Sequence, residues 1–318
     1  MIAHTTIMQS AGLDSGMRAV LDDIASWPVI TTDPVAAARA SPERFLRWSR
    51  PAVSVESVED YEVQGEQRAF RVRVYRPGRL PRPPALYIHG GAWSVGSIEL
   101  ADRLCRRLCS ESGRLIASVG YALAPEEPYP AGLDDCVDAL AWLDHEHDLI
   151  GSDGSAPVVV GESSGANLAA AMCLRARAGT AQPIAALVLI CPVLGDDFAT
   201  ESHQRWGGGE FLVSSDLLAD FWQMYLAGKG VDPFAAPLRA RDLNDFPPAT
   251  IVIAGCDPLR DDGVNFARGL SAAGGSVELI EAPGLLHGFI YMDGVSEPAA
   301  RTVDRVFTLT TPDELSED

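Results

Sequence analysis

The fold is decided by the stretch VVVGESSGAN at residues 158–167. A short run of β-branched residues leads straight into a Gly-x-Ser-x-Gly pattern, and an alanine- and leucine-rich helical stretch follows. This order is typical of a nucleophile elbow, in which a serine occupies a sharp turn between a strand and a helix. Gly161 and Gly165 suit such a turn, because a Cβ at either position would crowd the neighbouring strand and helix. We therefore predict that Ser163 is a nucleophile at the end of a buried strand.

A second glycine turn follows an apolar strand in LYIHGGAW, residues 86–93. Two consecutive glycines allow a backbone whose N–H groups point the same way, and such a group of donors can stabilise a developing oxyanion. We predict the N–H groups of Gly90, Gly91 and Ser164 as these donors; the alternative is an ordinary glycine turn. His89 lies at the mouth of this loop, where we expect it to fix the loop rather than act as a base.

A candidate acid follows another apolar strand, in TIVIAGCDPLRD at residues 250–261. A carboxylate of Asp257 at the strand end can accept the Nδ1–H of a histidine and stabilise the imidazolium that forms. Asp261 and Asp262 are close rivals. They follow a proline and fall where a helix would start, so we expect them to cap that helix.

The candidate base is His287, one of six histidines in the chain. It follows the strand-like residues 276–281 and precedes Gly288, in a loop that can reach over the elbow. The other histidines lie in a loose N-terminus, at the end of a charged helix or in a polar loop. We therefore predict His287 as the general base acting on Ser163.

The chain order Ser163, Asp257, His287 is the order of an α/β-hydrolase. With these motifs, the sequence resembles the hormone-sensitive-lipase group of α/β-hydrolases, the bacterial family IV esterases. The segment YALAPE at 121–126 is similar to the family's Tyr-Arg-Leu-Ala-Pro-Glu, and residues 232–238 resemble the segment that leads out of its cap. The resemblance extends over roughly residues 35–310.

The sequence departs from that family in three places. Ala92 stands where the family has a third glycine, but the resemblance implies that the first two glycines are the donors. The elbow has Glu162 and Ser164 around the nucleophile, where the family commonly has Asp and Ala. Ala122 replaces an arginine that is frequent in the family. A structural ion pair is therefore expected to be missing.

The periodicity predicts an α/β fold with a mostly parallel central sheet, helices on both faces and a helical cap. Two alternating stretches are expected as antiparallel edge strands, and six continuous apolar runs as strands buried on both faces. The predicted strands are 52–64, 68–76, 85–88, 115–121, 157–161, 185–191, 249–255 and 276–282. The predicted helices are 14–27, 33–49, 98–112, 131–147, 164–178, 261–274 and 297–308, and an acidic tail from 310 to 318 is expected to fray.

The alternation breaks at residues 195–240, an aromatic-rich segment with a glycine neck at 207–209. We predict four regions: N-terminal cap helices at 1–50, hydrolase core at 51–194, a cap insertion at 195–240 and core again at 241–318. The family resemblance implies the cap role of the N-terminal helices. The alternative for the insertion is a helix packed on the core. Residues expected to line a substrate pocket are Trp93, Glu162, Trp206, Phe211, Trp222 and Tyr225.

Composition limits the binding partners, the location and the cofactors that we expect for this protein. The net charge of −19 argues against nucleic acid and anionic membrane surfaces. The start of the chain has no basic region followed by an apolar run, so we expect a cytoplasmic protein. The six cysteines form no Cys-x-x-Cys pair and are expected to be buried free thiols. We expect no metal or organic cofactor, and a homodimer is plausible by resemblance.

The reaction that the resemblance implies is hydrolysis of small-molecule esters with short to medium acyl chains, through an acyl-enzyme. Because the same three residues serve any acyl transfer, an amidase, lactonase or acyltransferase stays open. A non-catalytic ligand-binding homologue is the alternative from another class. Such homologues usually lose a member of the triad, and all three candidates are present here.

Overall fold

The structure, a computed structural model, describes residues 2–6, 12–27, 33–40, 42–78, 82–179 and 181–308. Within these residues nine strands form a single sheet. The strands are β1 (Ile2–Thr6), β2 (Ser57–Gln64), β3 (Ala69–Arg76), β4 (Arg82–Ile88), β5 (Arg114–Gly120), β6 (Val158–Glu162), β7 (Ala186–Ile190), β8 (Ala249–Cys256) and β9 (Val277–Leu286). Their order across the sheet is β1-β9-β8-β7-β6-β4-β5-β3-β2.

Helices connect these strands. They are α1 (Ser15–Ala25), α2 (Pro34–Ala40), α3 (Ile98–Ser112), α4 (Ala131–His145), α5 (His147–Ile150), α6 (Ser164–Arg177), α7 (Glu201–Trp206), α8 (Ser215–Leu226), α9 (Arg260–Ala272) and α10 (Glu297–Thr308). Short 3₁₀ segments are Pro42–Trp48, Pro237–Arg239 and Phe289–Tyr291.

The sheet is parallel except at β3, which pairs antiparallel with both β2 and β5. This confirms the predicted α/β-hydrolase architecture and the two antiparallel strands at one edge. At the opposite edge the expectation of a loose N-terminus is wrong, because β1 pairs in parallel with β9 from Ile2↔Val277 to Thr6↔Glu281. The unpaired N–H and C=O groups of an edge strand accept such an additional strand even where its sequence is weakly patterned.

Both faces of the sheet are covered, which explains the continuous apolar runs. In β4, Leu86 and Ile88 belong to one core with residues of α4, α6 and α9. Ala85 and Tyr87 point to the other core, with residues of α1, α3 and α10. Because successive side chains of a strand point to opposite faces, every residue of such a strand is apolar when both faces are covered.

Two predicted elements differ in their bounds. The single helix expected at 33–49 is instead α2 followed by the 3₁₀ segment Pro42–Trp48. Proline lacks an N–H and disfavours helical geometry at the residue before it, which explains a break here. The strand expected from 52 begins at Ser57, where pairing with Arg76 at the end of β3 begins. Residues 28–32, between the first two predicted helices, and the predicted tail at 310–318 lie outside the described residues.

All six cysteines are buried and free, as expected. Among the described residues, no helix combines the length and the apolar character needed to cross a bilayer. The predicted division into core and cap regions stays a prediction.

Candidate active site

Four strands of the sheet end at the three predicted catalytic residues and at the glycine loop. The strand β4 leads into His89, β6 into Ser163, β8 into Asp257 and β9 into His287. The carboxyl ends of parallel strands lie along one edge of a sheet, and ligands of open α/β sheets bind there. Residues far apart in the chain are therefore brought together by the parallel register of these strands.

Ser163 has φ 55° and ψ −117°, between β6 and α6. This is a left-handed φ for a residue with a Cβ, and such strain persists where the surrounding structure enforces it. A Cβ added at Gly161 would overlap the Gly165 carbonyl, and one added at Gly165 would overlap the carbonyl of Ile88. Both glycines therefore permit the close approach of α6 to β4 and β6 that the sharp turn requires, as expected from the sequence.

Ser163, His287 and Asp257 form a continuous hydrogen-bonded chain. The Nε2 of His287 lies 2.9 Å from the Ser163 Oγ. On the other side of the ring, Nδ1 lies 2.8 Å from the Asp257 Oδ2. The Leu259 N–H donates to the second carboxylate oxygen, Oδ1, at 2.9 Å. A carboxylate held at Nδ1 leaves Nε2 free to accept the serine proton.

The electrostatic surroundings of His287 act in opposite directions. Burial lowers the pKa of His287, whereas the negative charges of Asp257 and Glu162 raise it, and the net direction is upward. The imidazolium that forms when the ring accepts a proton is therefore stabilised by two carboxylates. One of them is in direct contact with the ring.

The rival acids Asp261 and Asp262 have other partners. The Asp262 carboxylate accepts the N–H groups of Leu194 and Gly195, at 2.8 and 2.9 Å. The Asp261 carboxylate accepts the N–H of Ser202. The expected capping role is wrong, because the N-cap of α9 is Leu259 and makes no side-chain cap bond. Both acids instead anchor the chain that follows β7.

His89 is fixed within the glycine loop. Its ring stacks on Tyr121 at 4.3 Å between centroids, and Nδ1 donates to the Gly90 carbonyl at 2.8 Å. The Tyr121 hydroxyl donates to the His89 carbonyl. Burial lowers the pKa of His89 to about 4, so the ring is neutral near pH 7. These contacts match the expectation that His89 orders the loop.

The glycine loop has an unusual backbone after Gly90. The φ angles are 117° at Gly91, 50° at Ala92 and 57° at Trp93. The Gly90 backbone lies against the Glu162 carboxyl group, and its amide lowers the pKa of that group. Ser164 is the first residue of α6. The first amides of a helix have no partner within the helix, so its N–H is free to bind another acceptor.

A cavity of about 260 Å³ lies over the elbow and is lined by Ser163, His287, Gly90 and Gly91. Its walls are mostly apolar and come from three places. The insertion contributes Leu212, Val213, Leu217, Leu218 and Phe221; the N-terminal region contributes Ala38 and Phe45; the remaining side chains are Ala92, Val95, Leu100, Glu162, Tyr291 and Met292.

Five of the six predicted pocket residues lie elsewhere, and Glu162 alone of the six lines this cavity. Trp93 stacks on Tyr225 at 4.3 Å and meets Trp222 at 4.6 Å, in a buried aromatic cluster. Trp206 packs edge-on against Phe211 at 4.7 Å, and Trp206 lines a separate cavity. Large aromatic side chains bury the most apolar area, and Trp93, Trp222 and Tyr225 are accordingly buried against one another.

Sequence reasoning missed the aliphatic side chains of the wall and the two N-terminal residues, Ala38 and Phe45. The signal available was the helical face of α8, whose N-cap is Ser214. That face contains Leu218 and Phe221, which line the cavity, beside Trp222, which does not. Helical spacing identifies the inward face but does not separate a cavity wall from a packed core.

Asn167 joins the insertion to the elbow helix. Its side-chain amide donates to the Val193 carbonyl at 3.0 Å and to the Ala235 carbonyl at 2.8 Å. These carbonyls lie just before the predicted insertion and near its end. The helix that follows Ser163 thus fixes both connections of the segment that forms part of the cavity wall.

One group of potential metal ligands occurs among the described residues: Cys191, Asp257 and His287, with ligand atoms within 4.8 Å of one another. Two of its members are already hydrogen-bonded to each other within the triad. The expectation that the protein needs no metal stays a prediction.

Known proteins share this fold. A family model described as the alpha/beta hydrolase fold matches residues 85–291. The chain belongs to the α/β-hydrolase family. Within it, the chain falls in the hormone-sensitive-lipase group, as the sequence motifs indicated.

Similar proteins of known activity are esterases. This α/β-hydrolase is 37% identical to an ethyl acetate hydrolase of Pseudomonas putida, over 72% of this chain and 74% of the relative. It is 35% identical to the carboxylic ester hydrolase LipN of Mycobacterium tuberculosis, over 81% of this chain and 71% of the relative. The solved structure of a hyperthermophilic esterase from the archaeon Pyrobaculum calidifontis matches 93% of this chain and 97% of its own, with 32% identity and a TM-score of 0.84.

Proposed function

We propose that this carboxylic ester hydrolase cleaves its substrates through an acyl-enzyme formed on Ser163. The observation that carries the proposal is the chain of contacts from the Ser163 Oγ to His287 and on to Asp257, at 2.9 and 2.8 Å. Ser163 and His287 line an apolar cavity, in a chain whose relatives are esterases.

In the first half of the reaction the Ser163 Oγ attacks the ester carbonyl while its proton passes to Nε2 of His287. Asp257 stabilises the resulting imidazolium and holds the ring by Nδ1. His287 then protonates the leaving alkoxide, and the acyl group stays on Ser163. In the second half, His287 takes a proton from water, the hydroxide attacks the acyl carbon, and Ser163 regains its proton.

The N–H groups of Gly91 and Ser164 are proposed to hold the oxyanion, as expected from the sequence, together with the N–H of Ala92. Gly90 was the third expected donor, but its amide has the Glu162 carboxylate as an acceptor. An N–H already engaged by a carboxylate is less available to a second anion. The left-handed φ of Ala92, 50°, shows the backbone turn that replaces the family's third glycine.

The cavity supports small, uncharged esters with short to medium acyl chains. Its volume of about 260 Å³ is below the range of about 300–1,000 Å³ in which drug-sized ligands bind. Glu162 is the acidic side chain of the lining, and no lysine or arginine of the described residues lines it. A carboxylate on the substrate would find no cationic partner there. A cytoplasmic location and a homodimer stay predictions of the sequence.

The test is a series of p-nitrophenyl esters from acetate to palmitate, measured with the wild type and with Ser163→Ala. We expect turnover that peaks at short chains and is lost in the variant. A folded wild type without activity at any chain length would overturn the proposal, and matched amides and lactones would then be the next substrates.

A further inference from the structure

Glu162 is a buried carboxylate next to the nucleophile that the proposed reaction does not use. It is the last residue of β6, is 4% exposed, and lines the substrate cavity. An ionised carboxylate in such a place loses hydration and needs compensating partners. Two partners are found, one in the glycine loop and one in the triad.

The first partner is the backbone of Gly90. A Cβ added at Gly90 would overlap the Glu162 Oε2, so the carboxyl group lies directly against this glycine. Burial raises the pKa of Glu162 to about 6, whereas the charge of His287 and the Gly90 backbone hydrogen bond lower it. The carboxylate thus connects the end of β6 to the start of the loop that carries the proposed oxyanion donors.

The second partner is His287. Each group favours the charged form of the other, since Glu162 raises the pKa of His287 and His287 lowers the pKa of Glu162. Asp257 is hydrogen-bonded to Nδ1, while Glu162 acts on the ring through its field. Because Glu162 and His287 are both buried, this field is weakly screened.

The remaining titratable groups around Glu162 are neutral near pH 7. Burial raises the pKa of every one of them, and the charge of Glu162 acts in the same direction. They are Tyr87 in β4, Tyr121 after β5, Cys191 after β7 and Tyr291 in the 3₁₀ segment Phe289–Tyr291. Glu162 therefore acts beside one charged neighbour of its own sign, Asp257, and one that becomes cationic during the reaction.

We propose that Glu162 is a second positioning carboxylate of this site. It holds the start of the oxyanion loop through the Gly90 amide, and it stabilises the imidazolium of His287 that forms as Ser163 attacks. The inference rests on the proposed function, because the imidazolium arises only if Ser163 and His287 react as described.

Two variants separate the two roles. Glu162→Gln keeps the side-chain length and an amide oxygen for the Gly90 N–H but removes the charge. We expect the acidic limb of the pH profile of kcat/KM to move down by about one unit, because His287 loses a stabilising charge. We also expect kcat on the plateau to fall about tenfold, while KM changes less.

Glu162→Asp keeps the charge but withdraws it from Gly90 by one methylene. We expect kcat to fall about tenfold while the acidic limb stays within about 0.3 units, since the charge remains near His287. Asp262→Asn is the matched control, because Asp262 is an equally buried carboxylate held by backbone amides and does not act on His287. Its acidic limb should coincide with that of the wild type.

The results discriminate sharply. If the acidic limb of the kcat/KM profile of Glu162→Gln stays in place or moves to higher pH, Glu162 does not stabilise the imidazolium of His287. An undiminished kcat in Glu162→Asp overturns the role of Glu162 in holding the oxyanion loop. If Glu162→Gln does not fold, this measurement alone tests the proposal. A wild type that turns over no ester would instead be a failure of the proposed function. The pH dependence of Ser163 labelling by a p-nitrophenyl phosphonate follows the same limb when turnover is slow.

Discussion

The strand ends and the cavity wall are built in different ways. The proposed nucleophile, acid and base each follow a parallel strand of one sheet, so backbone hydrogen bonds determine their positions. Much of the wall comes from α8 and from the region of Ala38 and Phe45, which are positioned by side-chain packing. The comparison teaches that the chemistry depends on strand register, whereas substrate choice depends on which helix faces meet. Substitutions in the two regions should therefore fail differently.

The largest expected effect is at the strand ends. Ser163→Ala removes the nucleophile and should lower kcat by about 10⁴-fold or more, with the free energy of unfolding nearly unchanged. Steady-state kinetics and a denaturant titration measure both quantities. Near-normal turnover in this variant would show that the reaction does not use the elbow.

Asp257→Asn should lower kcat by about 10³- to 10⁴-fold, because an amide can no longer hold the proper tautomer of His287. Asp261→Asn is the matched control. Asp261 is near Asp257 in the chain, but its carboxylate accepts the Ser202 N–H rather than holding His287. Its kcat should stay within about threefold of the wild type. Equal losses in the two variants would contradict the assignment of Asp257.

Asp262, which holds Leu194 and Gly195 in the chain after β7, should make the stability of the protein depend on pH. Burial raises the pKa of Asp262 to about 7. An unfolded aspartate ionises near pH 3.9, so between about pH 4 and 7 the folded state binds a proton that the unfolded state has lost. Stability from this group therefore falls as pH rises through that window.

Asp262→Asn should remove that dependence. We expect the variant to be more stable than the wild type by about 2–4 kcal/mol at pH 8, and equal to it near pH 4. Urea titrations at both values of pH measure the difference. A variant that is less stable at pH 8 would mean that the charged bonds to Leu194 and Gly195 outweigh the cost of burial.

The smallest expected effect compares neighbours on α8. Phe221→Ala enlarges the cavity and should shift the kcat/KM ratio of longer to shorter esters by about tenfold. Trp222→Phe alters the packed cluster with Trp93 and Tyr225, so it should lower the free energy of unfolding by about 1–2 kcal/mol and leave the ratio unchanged. The ester series and thermal unfolding distinguish them. A shifted ratio in the Trp222 variant would place that ring in the cavity after all.

Much of the fold was predictable because its signals are local. The continuous apolar runs, the glycines of the elbow and the helix caps each restrict a few neighbouring residues. The strand β1 carries no such signal, and its place beside β9 results from pairing across most of the chain length. The roles of Asp261 and Asp262 were misjudged for the same reason, since their partners lie some sixty residues earlier, between Leu194 and Ser202.

The sequence by itself determined the succession of strands β2 to β9 along the chain, the three candidate reacting residues and the family. The sequence shows which residues follow a strand. Because the strands are parallel and in register, those residues meet at one edge of the sheet. Only the tertiary structure decided which aromatics pack, which aliphatic residues line the cavity with Ser163, and that Glu162 lies against Gly90 in the same cavity as His287. Those outcomes depend on competition for space among side chains from distant segments, and no local pattern records such a competition.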